Sequence, residues 1–169
     1  MEIRTISEQD WPSILNVQSD VYIEVPPEEL EILQCKQKRS PESCFVCDVK
    51  GEIKAYLIAH SWNQDSAPKL HKLLASGTEG DRLYLHDMAV SAQAGGMGLG
   101  RRLVESLLRQ AKEKGYRDVR LVAVQGSTGF WEKMGFSALP NMPVCSSYGD
   151  HDDGPVSLLR GRTIKDKVY

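Results

Sequence analysis

The sequence has few of the features that mark secreted, membrane or nucleic-acid-binding proteins. Its 169 residues include four scattered cysteines, too few for a disulfide framework. No apolar run approaches the roughly 18–20 residues of a membrane span. The start, Met1 to Arg4, lacks an apolar signal-peptide core. A formal net charge of −2 provides no basic face for nucleic acid. We therefore expect a single domain, cytoplasmic, binding neither membranes nor nucleic acid.

Two of the cysteines, Cys44 and Cys47, form a Cys-x-x-Cys motif. A zinc site would need a second pair, and Cys35 and Cys145 stand alone. A redox pair would lie at a helix N-terminus, but this motif falls in an extended stretch, where residues three apart face opposite sides. We interpret the motif as structural and expect no metal site.

Hydrophobic periodicity and the positions of glycine and proline predict the element order β-α-α-β-β-β-α-β-α-β-(β). Predicted strands span 3–6, 43–49, 53–60, 83–90, 119–124 and 156–159; one helix follows Ser7 or Asp10, and the others span 28–38, 98–114 and 128–134. Residues 61–82 are predicted to form a long irregular connection with a helical turn near Leu70, and such connections are often functional. This order predicts one α/β domain, a mixed sheet with helices on both faces.

The most informative segment is 83–103, where an apolar strand runs through four glycines into an amphipathic helix. Glycines let the backbone approach a ligand closely, and a helix N-terminus adds a partial positive charge. The pattern therefore predicts a pyrophosphate-binding turn. It is not a P-loop, because no lysine follows the glycines, and it lacks the glycine spacing of the dinucleotide fingerprint.

This segment resembles the cofactor motif of the GNAT superfamily of acetyl-CoA-dependent N-acetyltransferases, Gln/Arg-x-x-Gly-x-Gly/Ala. Gly98 and Gly100 match its last two fixed positions, while Gly95 stands where Gln or Arg is usual. Residues 130–136, Phe-Trp-Glu-Lys-Met-Gly-Phe, are similar to the family's late signature, Phe-Tyr-Glu-Lys-x-Gly-Phe. The resemblance covers roughly residues 3–159. It implies a single GNAT-like domain over 1–169, with a mixed, mainly antiparallel central sheet flanked by helices on both faces.

The resemblance also implies that acetyl-CoA is the co-substrate. Backbone N–H groups of the glycine turn would hold its pyrophosphate, and strand residues before the turn would pair with the pantetheine arm and polarise the acetyl oxygen. The expected cofactor-binding residues are Met88, Ala89, Val90, Gly95, Gly96, Met97, Gly98, Leu99, Gly100, Arg101, Gln125, Phe130 and Trp131.

Candidate catalytic residues lie on the strand before the turn. Strand alternation places Tyr84, His86 and Met88 on one face and Asp87 on the other, where it is expected to anchor a loop or helix end. Family members with a side-chain base commonly carry it at positions matching Tyr84 or His86, and histidine has an unperturbed pKa of ~6.5. We expect His86 or Tyr84 to remove the proton from the amine.

Protonation of the thiolate leaving group is the step where the chain departs from the family. Trp131 stands where a tyrosine is usual, and tryptophan cannot act as an acid. Tyr148 is the expected substitute, with water as the alternative.

The acceptor is expected to be a primary amine of a small molecule or a protein. Candidate residues to attract it are Glu24, Glu28, Glu29, Asp150, Asp152 and Asp153, and candidates to line the entrance are His60 and Trp62. A homodimer is the candidate assembly. The alternative function is a non-catalytic acyl-CoA-binding regulatory module, favoured by the departures at Gly95 and Trp131. Transfer of a longer acyl group is a third.

Overall fold

A computed structural model describes residues 1–22, 26–123, 127–139 and the backbone of 157–162. Its helices are α1 (Trp11–Val21), α2 (Leu30–Arg39), α3 (Leu99–Lys114) and α4 (Thr128–Lys133). Its strands are β1 (Glu2–Thr5), β2 (Phe45–Val49), β3 (Glu52–Trp62), β4 (Arg82–Val90), β5 (Asp118–Ala123), β6 (Phe136–Ala138) and β7 (Ser157–Arg162). The element order predicted from the sequence is confirmed.

In the described residues, seven strands form one sheet in the order β1-β2-β3-β4-β5-β7-β6. Neighbouring strands run antiparallel except β4 and β5, which run parallel. The mixed, mainly antiparallel sheet is thus confirmed. The β4–β5 ladder has only two residue pairs, Leu83 with Val119 and Tyr84 with Arg120. Beyond Tyr84 the two strands diverge, which leaves one backbone edge of β4 unpaired in the described chain.

Helices cover both faces of the sheet because each presents an apolar stripe. On one face, α3 buries Leu99, Leu103 and Leu107. On the other, α1 and α2 bury Ile14 and Leu33 against β2 and β3. Leu99, Leu103 and Leu107 are four residues apart, the helical spacing that places apolar side chains on one side.

The cysteine motif contributes one side chain to each of the two hydrophobic cores, one on each face of the sheet. Cys44 belongs to the core beneath α1 and α2, and Cys47 to the core beneath α3. The Cys44 thiol donates a hydrogen bond to the carbonyl of Ala59 at 3.1 Å, and burial raises its pKa to about 12. Since the two side chains lie on opposite faces of the sheet, they form neither a disulfide nor a shared metal site.

The connection between β3 and β4 is irregular, as predicted. Leu70 and His71 form a turn in which His71 has φ +60°, and residues 72–75 are irregular, so the helical turn predicted around Leu70, Leu73 and Leu74 is wrong. The connection is held by Arg39, which donates to the carbonyl of Ala75 at 3.0 Å, and by Asn63, which donates to that of Gly77 at 2.8 Å. Among the described helices, none is long and apolar enough to span a membrane.

Candidate active site

A β-bulge in β4 determines where the polar groups of this strand lie. Ile58 of β3 is opposite Asp87, and Ala59 is opposite Leu85, so His86 has no opposite residue. Such an extra residue interrupts strand alternation. As a result, His86 and Asp87 both face α1 and α2, where their side chains contact Glu28 and Tyr56 respectively.

Two predictions made from alternation are therefore wrong. Asp87 lies on the same face as His86, not on the opposite one. Met88 packs against the core beneath α3 and does not share the face of His86. Before the bulge, Leu85 faces the α3 core, whereas after the bulge Ala89 faces the α1 and α2 core.

A cavity of about 450 Å³ lies where β4 and β5 diverge. It extends from the glycine turn, along the unpaired edge of β4, to the residues that follow α1. Its wall is formed by Gln18, Val21, Tyr22, Pro26, Glu28, Leu70, Leu85, His86, Asp87, Met88, Ala89, Val90, Ala94, Gly95, Gly96, Gly98, Leu99, Gly100, Arg101, Leu121, Val122, Ser127, Phe130 and Trp131.

The glycine turn is suited to hold an anionic group. Gly98 caps the start of α3 with φ +71°, a backbone conformation that favours glycine. The first N–H groups of a helix have no partner within it, and among the described residues no side chain caps these. A Cβ added to Gly100 would lie 3.5 Å from both Phe130 and Val90, so glycine keeps this side of the cavity open. The turn and the cavity together fit a phosphate-bearing ligand with a long arm.

Most predicted cofactor-binding residues lie on the cavity wall. The exceptions are Met97, which is absent from the wall and 47% exposed, and Gln125, which lies outside the described residues. The Arg101 side chain is exposed and pairs with Glu105 one helical turn away, Nε to Oε1 at 3.0 Å. Its backbone N–H is therefore the better candidate contact for a ligand.

Beside this cavity lies a buried cluster of Glu28, Lys36 and His86. The Nε2 atom of His86 contacts Oε1 of Glu28 and lies 2.7 Å from Nζ of Lys36. Oε2 of Glu28 accepts hydrogen bonds from Nζ of Lys36 and from the backbone N–H of His71, both at 2.9 Å. The backbone of Glu28 also exchanges two 3.1 Å hydrogen bonds with the side chain of Gln18. Glu28 thereby ties α1, α2, the bulge and the long connection together.

Burial and charge act together on this cluster. Burial lowers the pKa of His86, and the nearby Lys36 lowers it further against the opposing effect of Glu28. Burial also lowers the pKa of Lys36, partly opposed by Glu28. For Glu28, burial favours the neutral form, but His86 and Lys36 outweigh it and hold the pKa of the carboxyl well below its usual range. One carboxylate thus faces two basic groups.

A second polar group, around Asp87, lies on the same face. The Tyr56 hydroxyl donates a 2.7 Å hydrogen bond to Oδ2 of Asp87, and the Tyr22 hydroxyl donates one of 2.6 Å to the carbonyl of Met88. Burial raises the pKa of Asp87, against the opposing effects of His86 and the two tyrosines. Sequence reasoning missed Tyr22, because no local pattern places it near a strand more than sixty residues away.

Other predicted site residues lie away from the cavity. Tyr84 is 1% exposed and packs with Trp62, and it is not on the cavity wall. The prediction that His60 and Trp62 line the entrance is wrong, because both are buried outside the wall. Glu29 is exposed. Glu24, Tyr148, Asp150, Asp152 and Asp153 lie outside the described residues. In the part of the chain that the structure describes, no group of three or more Asp, Glu, His or Cys side chains could hold a metal ion.

Residues 11–136 match the model of the Acetyltransferase (GNAT) family. Because this match spans more than half of the chain, the protein belongs to that family. Family membership supports an acyltransferase. No curated protein sequence matches this chain.

Solved structures show the same fold at low sequence identity. GphF, a GNAT-like decarboxylase solved with isobutyryl-CoA, is 16% identical with a TM-score of 0.83, over 96% of this chain and 100% of that one. Chaetomium thermophilum Naa20, solved with a bisubstrate analogue, is 20% identical with a TM-score of 0.69, over 98% of this chain and 88% of that one. Arabidopsis thaliana Naa50, solved with the bisubstrate analogue CoA-Ac-MVNAL, is 13% identical with a TM-score of 0.69, over 94% and 96% of the two chains.

Proposed function

We propose that the protein is an acetyl-CoA-dependent N-acetyltransferase that transfers the acetyl group directly to a primary amine of a small molecule or a protein. The observation that carries this proposal is the continuity of one cavity from the glycine turn to the buried cluster at His86. The cavity brings a candidate phosphate site and a candidate proton acceptor to the two ends of one binding space. Free cysteines at positions 35, 44 and 47, without the pattern of a disulfide framework, support a cytoplasmic location.

Each part of the wall has a proposed role in binding. The N–H groups at the start of α3 bind the pyrophosphate, as the dipole of a helix N-terminus favours. The unpaired edge of β4, from Met88 to Val90, binds the pantetheine arm by backbone hydrogen bonds. The co-substrate supplies the activated acyl group as a thioester.

His86 is the proposed base. Its pKa is lowered by burial, so the ring is uncharged near neutral pH and able to accept a proton. Its Nδ1 atom has no hydrogen-bond partner among the described residues, whereas Nε2 faces the carboxylate of Glu28. A carboxylate on one ring nitrogen stabilises the imidazolium formed when the other nitrogen takes a proton. Tyr148 is the proposed acid for the thiolate, with water as the alternative.

The second candidate function is a non-catalytic acyl-CoA-binding regulatory module. It is favoured by the complete burial of the His86 ring and by the three polar partners already held by the Glu28 carboxylate. Both candidate functions predict the same binding of the acyl-CoA, with its pyrophosphate at the glycine turn and its pantetheine arm along β4. Only turnover distinguishes them.

The proposal is tested by calorimetric titration with acetyl-CoA, CoA and NAD, followed by a thiol-release assay over a panel of amines and peptides. We expect micromolar binding of acetyl-CoA and CoA but not of NAD, and thiol release with at least one amine. Binding without release over the whole panel would favour the regulatory module. Absence of binding would contradict both candidates. Isobutyryl-CoA in the same assay tests acyl length.

A further inference from the structure

Lys36 lies inside the protein at the centre of the cluster beside the cavity. Its side chain has no exposed surface, and its Nζ atom is within hydrogen-bond distance of both Glu28 and His86. Lysine is almost never fully buried unless paired. Moreover, a buried ion pair can often be replaced by apolar side chains without loss of stability. Stability alone therefore gives no reason for a lysine at this position.

The two polar neighbours of His86 Nε2 favour opposite protonation states of that atom. When Nε2 carries a proton, it donates to Glu28 Oε1, and when it does not, it accepts from Nζ of Lys36. The base proposed above carries its proton on Nε2, donated to Glu28, and keeps Nδ1 free to accept one. In that tautomer Lys36 donates to Oε2 of Glu28 and acts on the ring through its charge.

The charge count decides which basic group is charged. The Glu28 carboxylate contacts both basic groups and balances one positive charge. A second positive charge would depend on the carboxyl group of Asp87, whose own charged form is disfavoured by burial. Lysine is intrinsically far more basic than histidine, so the proton stays on Lys36 and the ring is left neutral. The other titratable groups near the ring are Asp87 on β4, His60 on β3 and Tyr84 on β4, the last two with ring centroids 6.2 Å from it. None of these makes a direct hydrogen bond to the His86 ring in the described structure.

We propose that Lys36 is a positioning residue, which holds the one positive charge of the cluster and thereby keeps the His86 ring uncharged and ready to accept a proton. This inference rests on the proposed function for its role in turnover. The placement of the charge itself does not depend on that function. Lys36 acts through His86 and Glu28 and is not on the cavity wall.

The test is an NMR titration of the four histidine rings in the wild type and in the Lys36→Met and Lys36→Gln variants, with the His86 signal assigned from a His86→Asn variant. Lys36→Gln keeps an N–H donor for Glu28 but removes the charge. Lys38→Met is the matched control, because Lys38 is exposed on the same helix and its replacement removes the same charge.

We expect the wild-type His86 ring to stay neutral as the pH is lowered through the usual titration range of imidazole. In both Lys36 variants its titration should move to higher pH, because a neighbouring cation has been removed, and Lys38→Met should leave it unchanged. If transfer activity exists, the acid limb of the kcat–pH profile should move in the same direction.

Three results would overturn the inference. They are a wild-type His86 ring that titrates at or above the usual value, an unchanged titration in Lys36→Gln, and an equal change in Lys38→Met. If neither Lys36 variant folds, a wild-type His86 ring that is charged at neutral pH still overturns the inference. If the protein transfers nothing, the NMR result still tests the charge placement, so failure of the proposed function is distinguishable from failure of this inference.

Discussion

The Tyr56 hydroxyl on β3 donates a 2.7 Å hydrogen bond to Oδ2 of Asp87 on β4. Tyr56 is fully buried and Asp87 is 8% exposed. The two side chains share a face because the bulge at His86 turns Asp87 toward α1 and α2. This hydrogen bond thus links the bulge to the neighbouring strand at the cavity wall, to which Asp87 belongs.

Replacing Tyr56 by Phe is expected to lower the free energy of unfolding by about 1–3 kcal/mol, because a buried carboxyl group loses a donor. Urea denaturation measures this loss. In an Asp87→Ala background the same replacement should cost less, since no carboxyl group is left without its donor. Equal losses in both backgrounds would show that the hydrogen bond contributes little.

Replacing His86 by Ala is expected to reduce kcat by roughly 10²–10⁴, the contribution of a general base, with little change in acetyl-CoA affinity. The thiol-release assay and calorimetry measure the two quantities. His71→Asn is the control, because His71 is exposed and Asn tolerates its φ of +60°. Near-normal turnover of His86→Ala across the pH range would contradict the assignment of the base.

Replacing Gly98 by Glu is expected to abolish acetyl-CoA binding, because it puts a negative charge at the helix N-terminus that would bind the pyrophosphate. Gly98 has φ +71°, so backbone strain must be separated from charge. Gly77→Glu is matched for strain: Gly77 has φ +76° and open space around it, and it is not on the cavity wall. If Gly98→Glu binds acetyl-CoA with unchanged affinity, the turn is not the cofactor site.

Replacing Gly100 by Leu is expected to weaken acetyl-CoA binding by about tenfold or more, as overpacking of 1–3 kcal/mol implies. A Cβ at this position already contacts Phe130 and Val90 at 3.5 Å, so the larger side chain must extend into the cavity. Gly100→Ala makes only those ordinary contacts and should bind nearly as the wild type does. Calorimetry measures the acetyl-CoA affinity of both variants. Equal affinities would show that the pantetheine arm does not pass Gly100.

The free energy of unfolding is expected to fall as the pH drops below about 6.5, the usual pKa of histidine. His60 is fully buried, and burial lowers its pKa well below the usual 6.5. Below pH 6.5 the unfolded chain binds a proton that folded His60 does not, so acid favours unfolding. The sign is the same for His86. The slope approaches about 1.4 kcal/mol per pH unit for each such histidine.

Urea denaturation between pH 7.5 and 5.0 checks this pH dependence. His60→Gln should flatten the slope by the share of one histidine. A variant at His60 with the same slope as the wild type would contradict the assignment of a neutral buried ring.

Short-range patterns in the sequence were sufficient to predict the turn and its helix. Helix α3 ends at Lys114, as predicted, and begins one residue after Gly98, the predicted start. Gly98 and Gly115 adopt positive φ at its two ends. These features depend on the conformational freedom of glycine and on apolar side chains recurring at helical spacing. Both are local properties, and so they can be recognised without knowing the rest of the fold.

The sequence by itself therefore determined the order of the elements, the position of the glycine turn and the family signatures. Only the tertiary structure decided which polar side chains meet at the cavity. The bulge at His86 exists because β4 has one residue more than β3 over the same length, and alternation within β4 alone cannot show this. Likewise, Lys36 lies on helix α2, whose sequence is rich in polar residues. Only the packing of that helix in the fold buries Lys36 beside Glu28 and His86. Such contacts between distant parts of the chain depend on packing and strand register, which the local sequence does not specify.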